Sequence, residues 1–136
     1  MQNTVKNITE RMEEFILEKI LLFQVEDATA IKAIARPLHI RVESVDISAY
    51  KETLNNLYAG KRQTEDFSGD IPAGSLIVFC NLPDKTLDKI LAAIKNRKIP
   101  IDYKAIMTPT NARWNILRIY FEMAREKRAY GVQKRV

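Results

Sequence analysis

Two short runs are apolar on both faces of an extended strand, and they constrain the fold more than any other feature of the chain. Lys19 to Val25 has Ile20-Leu-Leu-Phe23 at its centre, and Ser75 to Leu82 is apolar from Leu76 to Cys80. A strand that is apolar on both faces must be covered on both sides. Both runs therefore predict central strands of a sheet that has helices on each face.

The same order of patterns follows each apolar run. A helical pattern comes first, and then an alternating stretch typical of an edge strand, at Ile40 to Ile47 and at Ile99 to Met107. A second helical pattern completes each unit. The repeat covers residues 19–59 and 75–128, and we interpret it as an internal duplication.

The duplication predicts an α/β fold, with α+β as a variant, in which two β-α-β-α units share one four-stranded sheet. The first and third strands are expected to be central. A ferredoxin-like sheet and a small open sheet covered by helices both satisfy this arrangement. Aligning Phe23 with Phe79 places these two side chains on one face of the sheet, and Leu22 and Val78 on the other.

One domain, residues 19–136, accounts for both units and the segment between them. The joining loop at 60–74 holds three of the four glycines, and we expect it to be flexible, with Phe67 as its anchor. Before the domain, residues 1–18 carry apolar residues at spacings of three and four, which predicts an N-terminal amphipathic helix. Its apolar positions are Val5, Ile8, Met12, Phe15 and Ile16.

The chain shows no pattern typical of a membrane or secreted protein. The longest apolar run, around Phe15 to Val25, contains Glu18 and Lys19 and is too short to span a bilayer. The first ten residues lack the basic start and continuous apolar stretch of a secretory signal. Cys80 is the only cysteine, so an internal disulfide is excluded and we expect a cytoplasmic protein.

The formal net charge of +5 is concentrated near the C-terminal end. From Arg118 onward, six basic residues oppose Glu122 and Glu126, which accounts for +4. We prefer a solvated helix end, where cations also favour the helix dipole, over the alternative of a nucleic-acid-binding surface. The basic residues are Arg118, Arg125, Lys127, Arg128, Lys134 and Arg135, and the first four form the alternative surface.

The stretch from Ala105 to Trp114 predicts a corner between a strand and the last helix. Pro109 suits a first helical turn because it has no N–H to lose, and Thr108 or Thr110 can cap the free N–H groups there. Beyond the corner, the helical spacing predicts one apolar face. It consists of Trp114, Leu117, Phe121 and Ala124, widened by Ile116, Ile119, Tyr120 and Met123.

A ligand site at this corner is one hypothesis. Asn111 near a helix start can hydrogen-bond a ligand, free N–H groups can hold an anion, and Trp114 can supply a stacking surface. The preferred alternative is that these residues only shape the corner and fill the core. The candidate ligand-binding residues are Thr108, Thr110, Asn111 and Trp114.

Cys80 and His39 are the only thiol and imidazole, and together they suggest a nucleophilic pair. A structural role is preferred for both, because Cys80 lies in an apolar strand and His39 follows a helix. We therefore predict no catalytic residue, and an enzyme is the less favoured class. One histidine and one cysteine cannot build a zinc shell, and no glycine-rich phosphate loop is present, so we expect neither a metal nor a cofactor.

The second unit resembles the bacterial domain-of-unknown-function 3783 family. The shared pattern is a strand ending in Val78-Phe-Cys80, a Leu-x-x-Ile-Leu helix, Ile99-Pro-Ile, and then Ala105-Ile-Met-Thr-x-x-Asn-x-x-Trp114. Upstream, a Leu-Leu-Phe strand, Ile40-Arg-Val and Leu57-Tyr-Ala-Gly60 extend the resemblance, which covers Lys19 to Lys127. The longer N-terminal helix and the basic C-terminal end depart from the family. The family has no established activity, so the resemblance supports the fold and implies no reaction.

These observations predict a small non-catalytic domain that binds a partner protein or a small ligand. The apolar surface of the N-terminal helix and of the strands exceeds what one thin sheet layer hides, so we also expect a homo-oligomer. A protein that associates with nucleic acid through its basic C-terminal helix is the alternative.

Overall fold

The computed structural model describes residues 17–135, and it describes side chains as far as residue 128. Over this range the chain forms four strands and four α-helices that alternate along the sequence. The strands are β1 (Lys19–Phe23), β2 (Arg41–Ser44), β3 (Leu76–Cys80) and β4 (Tyr103–Ile106). The helices are α1 (Ala28–Ala35), α2 (Leu54–Tyr58), α3 (Asp84–Asn96) and α4 (Ile116–Arg135).

The predicted N-terminal helix at 1–18 lies outside the described residues, except for Leu17 and Glu18, which are not helical. In the part of the chain that is described, no helix is both long enough and apolar enough to cross a membrane.

The four strands form one open sheet in the order β2-β1-β3-β4. β1 and β3 are antiparallel and central, whereas β2 runs parallel to β1 and β4 runs parallel to β3. Each crossover helix therefore joins neighbouring strands, unlike the split βαβ of a ferredoxin-like sheet. The mixed α/β fold with central first and third strands is confirmed. Of the two predicted arrangements, the chain adopts the open sheet covered by helices.

Helices α1 and α3 cover one face of the sheet, and α2 and α4 cover the other. Leu22 and Phe79 lie on the α1/α3 face, whereas Phe23 and Val78 lie on the α2/α4 face. The prediction that Phe23 and Phe79 share a face is therefore wrong. In the antiparallel pair, Leu21 is directly opposite Val78. A slip of one residue in the alignment exchanges the two faces of a strand.

The two units repeat the same backbone geometry. The sequence distance between their equivalent residues differs from the distance between Phe23 and Phe79. Gln24 and Asn81 follow the central strands with φ angles of 56° and 58°. His39 and Lys98 precede the edge strands with φ angles of 57° and 54°. These are left-handed conformations, which residues other than glycine rarely adopt, so their recurrence marks equivalent positions. Gene duplication as the origin of this repeat stays a prediction.

Ser48 is a residue type that could cap the second helix of the first unit, but α2 starts later than such a cap predicts, because its cap is Thr53. The Thr53 hydroxyl accepts the N–H of Asn56 at 3.2 Å, which satisfies one of the free donors of the first turn. Ser48 instead lies in a 3-10 turn, Ile47–Ala49, whose cap is Asp46.

Glu52, just before α2, fixes the start of the loop at 60–74. Its side chain is fully buried. The carboxylate accepts the N–H groups of Gln63 and Thr64 at 2.8 and 2.9 Å, the Thr64 hydroxyl at 2.8 Å, and the Asn56 amide at 2.8 Å. These bonds hold the pKa of Glu52 at about 2, and the Asn56 amide contributes most to the shift.

Further along the loop, Phe67 packs against the core, and its N–H donates to the carbonyl of Ser48 at 2.9 Å. Arg62 donates to the same carbonyl at 2.9 Å. The loop is therefore attached at Glu52 and Arg62 as well as at Phe67. Its flexibility stays a prediction.

Glu52→Gln is expected to lower the free energy of unfolding at pH 7 by about 1–3 kcal/mol, because a neutral amide replaces a carboxylate that accepts several hydrogen bonds. The folded pKa of about 2 lies below the ordinary value of 4.5. The carboxylate therefore stabilises the fold fully above about pH 4.5, and this contribution disappears as the pH falls towards 2. Urea unfolding at pH 7 and pH 3 measures the difference between wild type and variant.

Glu65→Gln is the matched control, because Glu65 lies in the same loop with an exposed side chain. It should change the free energy of unfolding by less than about 0.5 kcal/mol at either pH. Identical pH profiles for wild type and Glu52→Gln would contradict the role given to Glu52.

Candidate functional site

The corner after β4 is held together by its own polar groups. The N–H of Thr108 donates to Asn111 Oδ1 at 2.7 Å, and the N–H of Asn111 donates to Thr108 Oγ1 at 3.1 Å. The Asn111 amide also donates to the carbonyl of Ile106 at 2.9 Å. Both ends of the Asn111 side-chain amide are therefore used inside the corner, and they shape the chain locally.

The last helix begins later than the position of Pro109 suggests. A 3-10 turn covers Asn111–Arg113, Trp114 is extended, and α4 starts only at Ile116. Trp114 is extended because its carbonyl accepts the N–H of Leu54 at 2.9 Å. This bond joins the start of α2 to the segment just before α4, and the N–H of Ile116 in α4 donates to the carbonyl of Tyr50 at 3.2 Å.

Asn115 caps α4, and the sequence analysis did not identify it. Its Oδ1 accepts the N–H of Arg118 at 2.9 Å. Of the two expected caps, Thr108 accepts the N–H of Asn111 at the 3-10 turn that precedes α4, and Thr110 makes no side-chain cap bond. The sequence does contain a signal for the Asn115 cap. Asparagine is a preferred cap residue, and Asn115 directly precedes the apolar spacing of the helix.

Trp114 is half-buried and packs against the core on the α2/α4 side. The Arg118 guanidinium lies 4.4 Å from the centre of the indole ring, which is a favourable cation–π distance. Arg118 therefore already covers part of the ring surface that a stacking ligand would use. The nearest cleft, of about 430 Å³, is lined by Thr53, Asn55, Pro109, Ala112 and Arg113, and it includes neither Asn111 nor Trp114.

The structure thus places the four candidate ligand-binding residues in one corner, where the side chains of Thr108 and Asn111 hydrogen-bond within the chain. Binding of a ligand by Thr108, Thr110, Asn111 and Trp114 stays a prediction.

The four residues of the alternative nucleic-acid surface all lie on α4 and are exposed. Three of them also make local contacts. Arg118 stacks on Trp114, Arg125 lies 3.9 Å from Glu122, and Lys127 lies 5.2 Å from the centre of the Tyr103 ring. Arg128 extends the same helix. The side chains of Lys134 and Arg135 lie beyond the described ones.

The exposed side of α4 carries an apolar groove, which we call the Phe121 groove. It has a volume of about 300 Å³ and is lined by Pro72, Ala73, Tyr103, Leu117, Tyr120, Phe121 and Ala124. Phe121 is 60% exposed. The sequence analysis placed Phe121 on one broad apolar face of the helix; the orientation of α4 buries the Ile116, Ile119 and Tyr120 part of that face and exposes Phe121.

The two residues considered as a nucleophilic pair have different surroundings. Cys80 is fully buried among the apolar residues of the α2/α4 face, whereas His39 is exposed at the end of a 3-10 turn. Burial raises the pKa of the Cys80 thiol to about 12. A neutral, buried thiol is a poor nucleophile. Among the described residues, no group of three or more His, Cys, Asp or Glu side chains is placed to hold a metal ion.

Residues 75–130 match the model of a family described as "Domain of unknown function (DUF3783)". This range begins just before β3, contains α3 and β4, and ends within α4, so it corresponds to the second β-α-β-α unit. The family predicted from the sequence is confirmed for that range. The upstream part of the predicted resemblance and the bacterial origin stay predictions. No curated protein and no solved structure matches the chain significantly.

Asn111→Ala should lower the free energy of unfolding by about 1 kcal/mol, because the corner loses the bonds to Thr108 and Ile106. Thr110→Ala is the matched control in the same corner and should have an effect below about 0.5 kcal/mol, because Thr110 makes no side-chain cap bond. Chemical unfolding followed by Trp114 fluorescence measures both. Equal effects of the two substitutions would contradict the role of Asn111.

Cys80 in the folded protein should react with iodoacetamide at pH 8 far more slowly than in the unfolded chain, because the thiol is buried and its pKa is raised to about 12. Mass spectrometry of the alkylated protein, with and without urea, measures the two rates. Rapid alkylation without urea would show that the thiol is accessible and would reopen the nucleophile hypothesis.

Proposed function

We propose that this chain is a non-catalytic domain that binds a protein partner through the Phe121 groove, in a reducing cytoplasm. The observation that carries this proposal is the 60% exposure of Phe121 in a groove lined mainly by apolar and aromatic side chains. A single exposed phenylalanine is ordinary on a protein surface. Phe121 is different because Leu117 and Ala124 extend its apolar surface along α4. Pro72 and Ala73 line the other side of the groove.

The groove has the properties of a site for an aromatic or aliphatic anchor. Burying an exposed phenylalanine in an interface contributes about 1.5–3 kcal/mol, and aromatic residues in pockets dominate the energy of many interfaces. The groove runs along one side of a helix, so an amphipathic helix whose apolar residues recur at spacings of three and four fits it best.

The charges beside the groove favour an acidic partner. By helical spacing, Arg118 and Arg125 lie on one side of the apolar stripe. Arg128 lies in line with the stripe, one turn after Ala124. A partner that carries Glu or Asp beside its apolar residues is complementary to these cations. We therefore expect the partner to be an acidic amphipathic segment.

Nucleic acid binding by Arg118, Arg125, Lys127 and Arg128 is kept as the alternative. It uses the same helix but needs phosphate contacts, and it gives no role to the apolar stripe between the cations. The two functions therefore differ in their dependence on Phe121 and on salt.

The predicted homo-oligomer is also kept, but we do not expect it to form by contact between two α4 helices. Such a contact would bring the same cations of two copies together, and like charges opposite each other are unfavourable.

The proposal is tested with two fluorescently labelled amphipathic peptides of about four helical turns, one built from Leu and Glu and the other from Leu and Lys. Fluorescence anisotropy measures binding to the full chain. The acidic peptide should bind saturably, and Phe121→Ser should weaken binding by about tenfold or more. The basic peptide should bind much more weakly.

Ile106→Ser is the matched control, because Ile106 is similarly exposed, at 54%, but does not line the groove. It should leave binding of the acidic peptide unchanged. Absence of acidic-peptide binding would overturn the proposal. Binding of a labelled oligonucleotide that falls steeply between about 50 and 200 mM salt and does not depend on Phe121 would favour the nucleic-acid function instead.

A further inference from the structure

The edge strands β2 and β4 are equivalent elements of the two units, and they end in the same way. The N–H of Val45 donates to the carbonyl of Leu22 at 2.8 Å, and the N–H of Met107 donates to the carbonyl of Phe79 at 2.9 Å. Each donor directly follows its edge strand, and each acceptor lies in the neighbouring central strand. Successive residues of a strand direct their N–H groups to opposite sides. The residues before and after Val45 and Met107 therefore direct theirs away from the sheet.

The outward groups at the end of β4 are bonded, whereas those at the end of β2 are not. Asn111 bonds to the carbonyl of Ile106 and to the N–H of Thr108. The equivalent groups in the first unit are the carbonyl of Ser44 and the N–H of Asp46. No hydrogen bond between residues that the structure describes reaches either of them. The outer edge of β2 is thus open to pairing with another strand.

The side chains of β2 are complementary to those of a second copy of the same strand. Arg41 is exposed, Val42 is half-buried, and the Glu43 side chain is 42% exposed. Two β2 strands can run antiparallel with their Val42 residues opposite each other. Arg41 of each copy then lies opposite Glu43 of the other, and both Val42 residues direct their backbone groups across the pair. Opposite charges placed in this way stabilise an antiparallel pair.

Glu43 is held in the position that this pairing needs. Its Oε2 lies 3.0 Å from the ammonium of Lys19, which is buried. Glu43 and Arg41 are two residues apart in the strand, so both lie on the α2/α4 face. Pairing centred on Glu43 would instead place two carboxylates opposite each other, which is unfavourable. The charges therefore select the register centred on Val42.

We infer that the chain forms a dimer in which the β2 strands of two copies pair antiparallel about Val42. Such a contact uses the same surface on both copies and closes on itself. It joins the two four-stranded sheets edge to edge and gives the predicted homo-oligomer its interface. The dimer does not depend on the proposed function of the Phe121 groove, which lies beside β4 at the opposite edge of the sheet. Both grooves stay accessible, so a dimer offers two sites to partners.

Sedimentation velocity of the full chain at about 1 μM to 1 mM tests the dimer. Wild type should change from monomer to dimer over this range. Arg41→Glu places like charges opposite each other twice in each dimer and should weaken dimerisation at least about tenfold. Lys104→Glu is the matched control, because it reverses an exposed charge on the other edge strand. It should leave dimerisation unchanged. A monomeric wild type, or equal effects of the two substitutions, would overturn the inference.

Amide exchange followed by NMR locates the interface without any substitution. The N–H of Val42 should exchange about tenfold more slowly in a dimeric sample than in a dilute one, because it becomes hydrogen-bonded across the pair. The N–H of Lys104, at the equivalent position of β4, should exchange at the same rate in both samples. Exchange at Val42 that does not depend on protein concentration would overturn the inference.

Phe121→Ser separates the dimer from the proposed function of the groove. The variant should dimerise as wild type does, while it binds the Leu/Glu peptide more weakly. Arg41→Glu should show the converse, with weaker dimerisation and unchanged peptide binding. Loss of the dimer in Phe121→Ser would show that two copies meet through α4, and it would overturn the inference. Absence of peptide binding in a protein that still dimerises would overturn only the groove function.

Discussion

The antiparallel contact between β1 and β3 is the constraint on which the rest of the structure depends. All residues of both strands are buried, on both faces of the sheet. A sheet with such a centre is stable only between two layers of helices, and the chain supplies α1 and α3 for one face and α2 and α4 for the other. Because β1 and β3 pair with each other, each central strand has only its outer edge free for the second strand of its own unit. Strands β2 and β4, each parallel to its own central strand, therefore form the two edges.

Most of the fold was predictable from the chain, because apolar runs and helical spacings record which elements are buried and in what order. The relative register of the strands, which decides the face of the sheet on which each side chain lies, was not predictable. Leu21 pairs with Val78, and no residue pattern distinguishes this register from the neighbouring one. The role of Glu52 was also hidden, because its bonds reach Gln63 and Thr64 across a loop, where no periodicity relates the partners.

At the candidate site, too, the sequence gives the type of each residue but not where its side chain lies. Thr108 and Asn111 have the polar chemistry of a binding site, yet their side chains hydrogen-bond to the chain that carries them. Phe121 has the chemistry of a core residue, yet it is largely exposed. A helical spacing identifies the residues that share a face. The direction of that face depends on tertiary contacts, here the packing of α4 and the bonds of Leu54 to Trp114 and of Ile116 to Tyr50.

The corner at Asn111 also decides where the sheet ends. Along β4, Tyr103 and Met107 direct their N–H groups to β3, so the intervening Ile106 carbonyl and the N–H of Thr108 point away from the sheet. The side-chain amide of Asn111 bonds to both of these outer groups, as a peptide of an adjacent strand would. A strand from another molecule would find them already occupied. The protein thus closes this part of an open edge with one side chain, and this protects it against edge-to-edge aggregation.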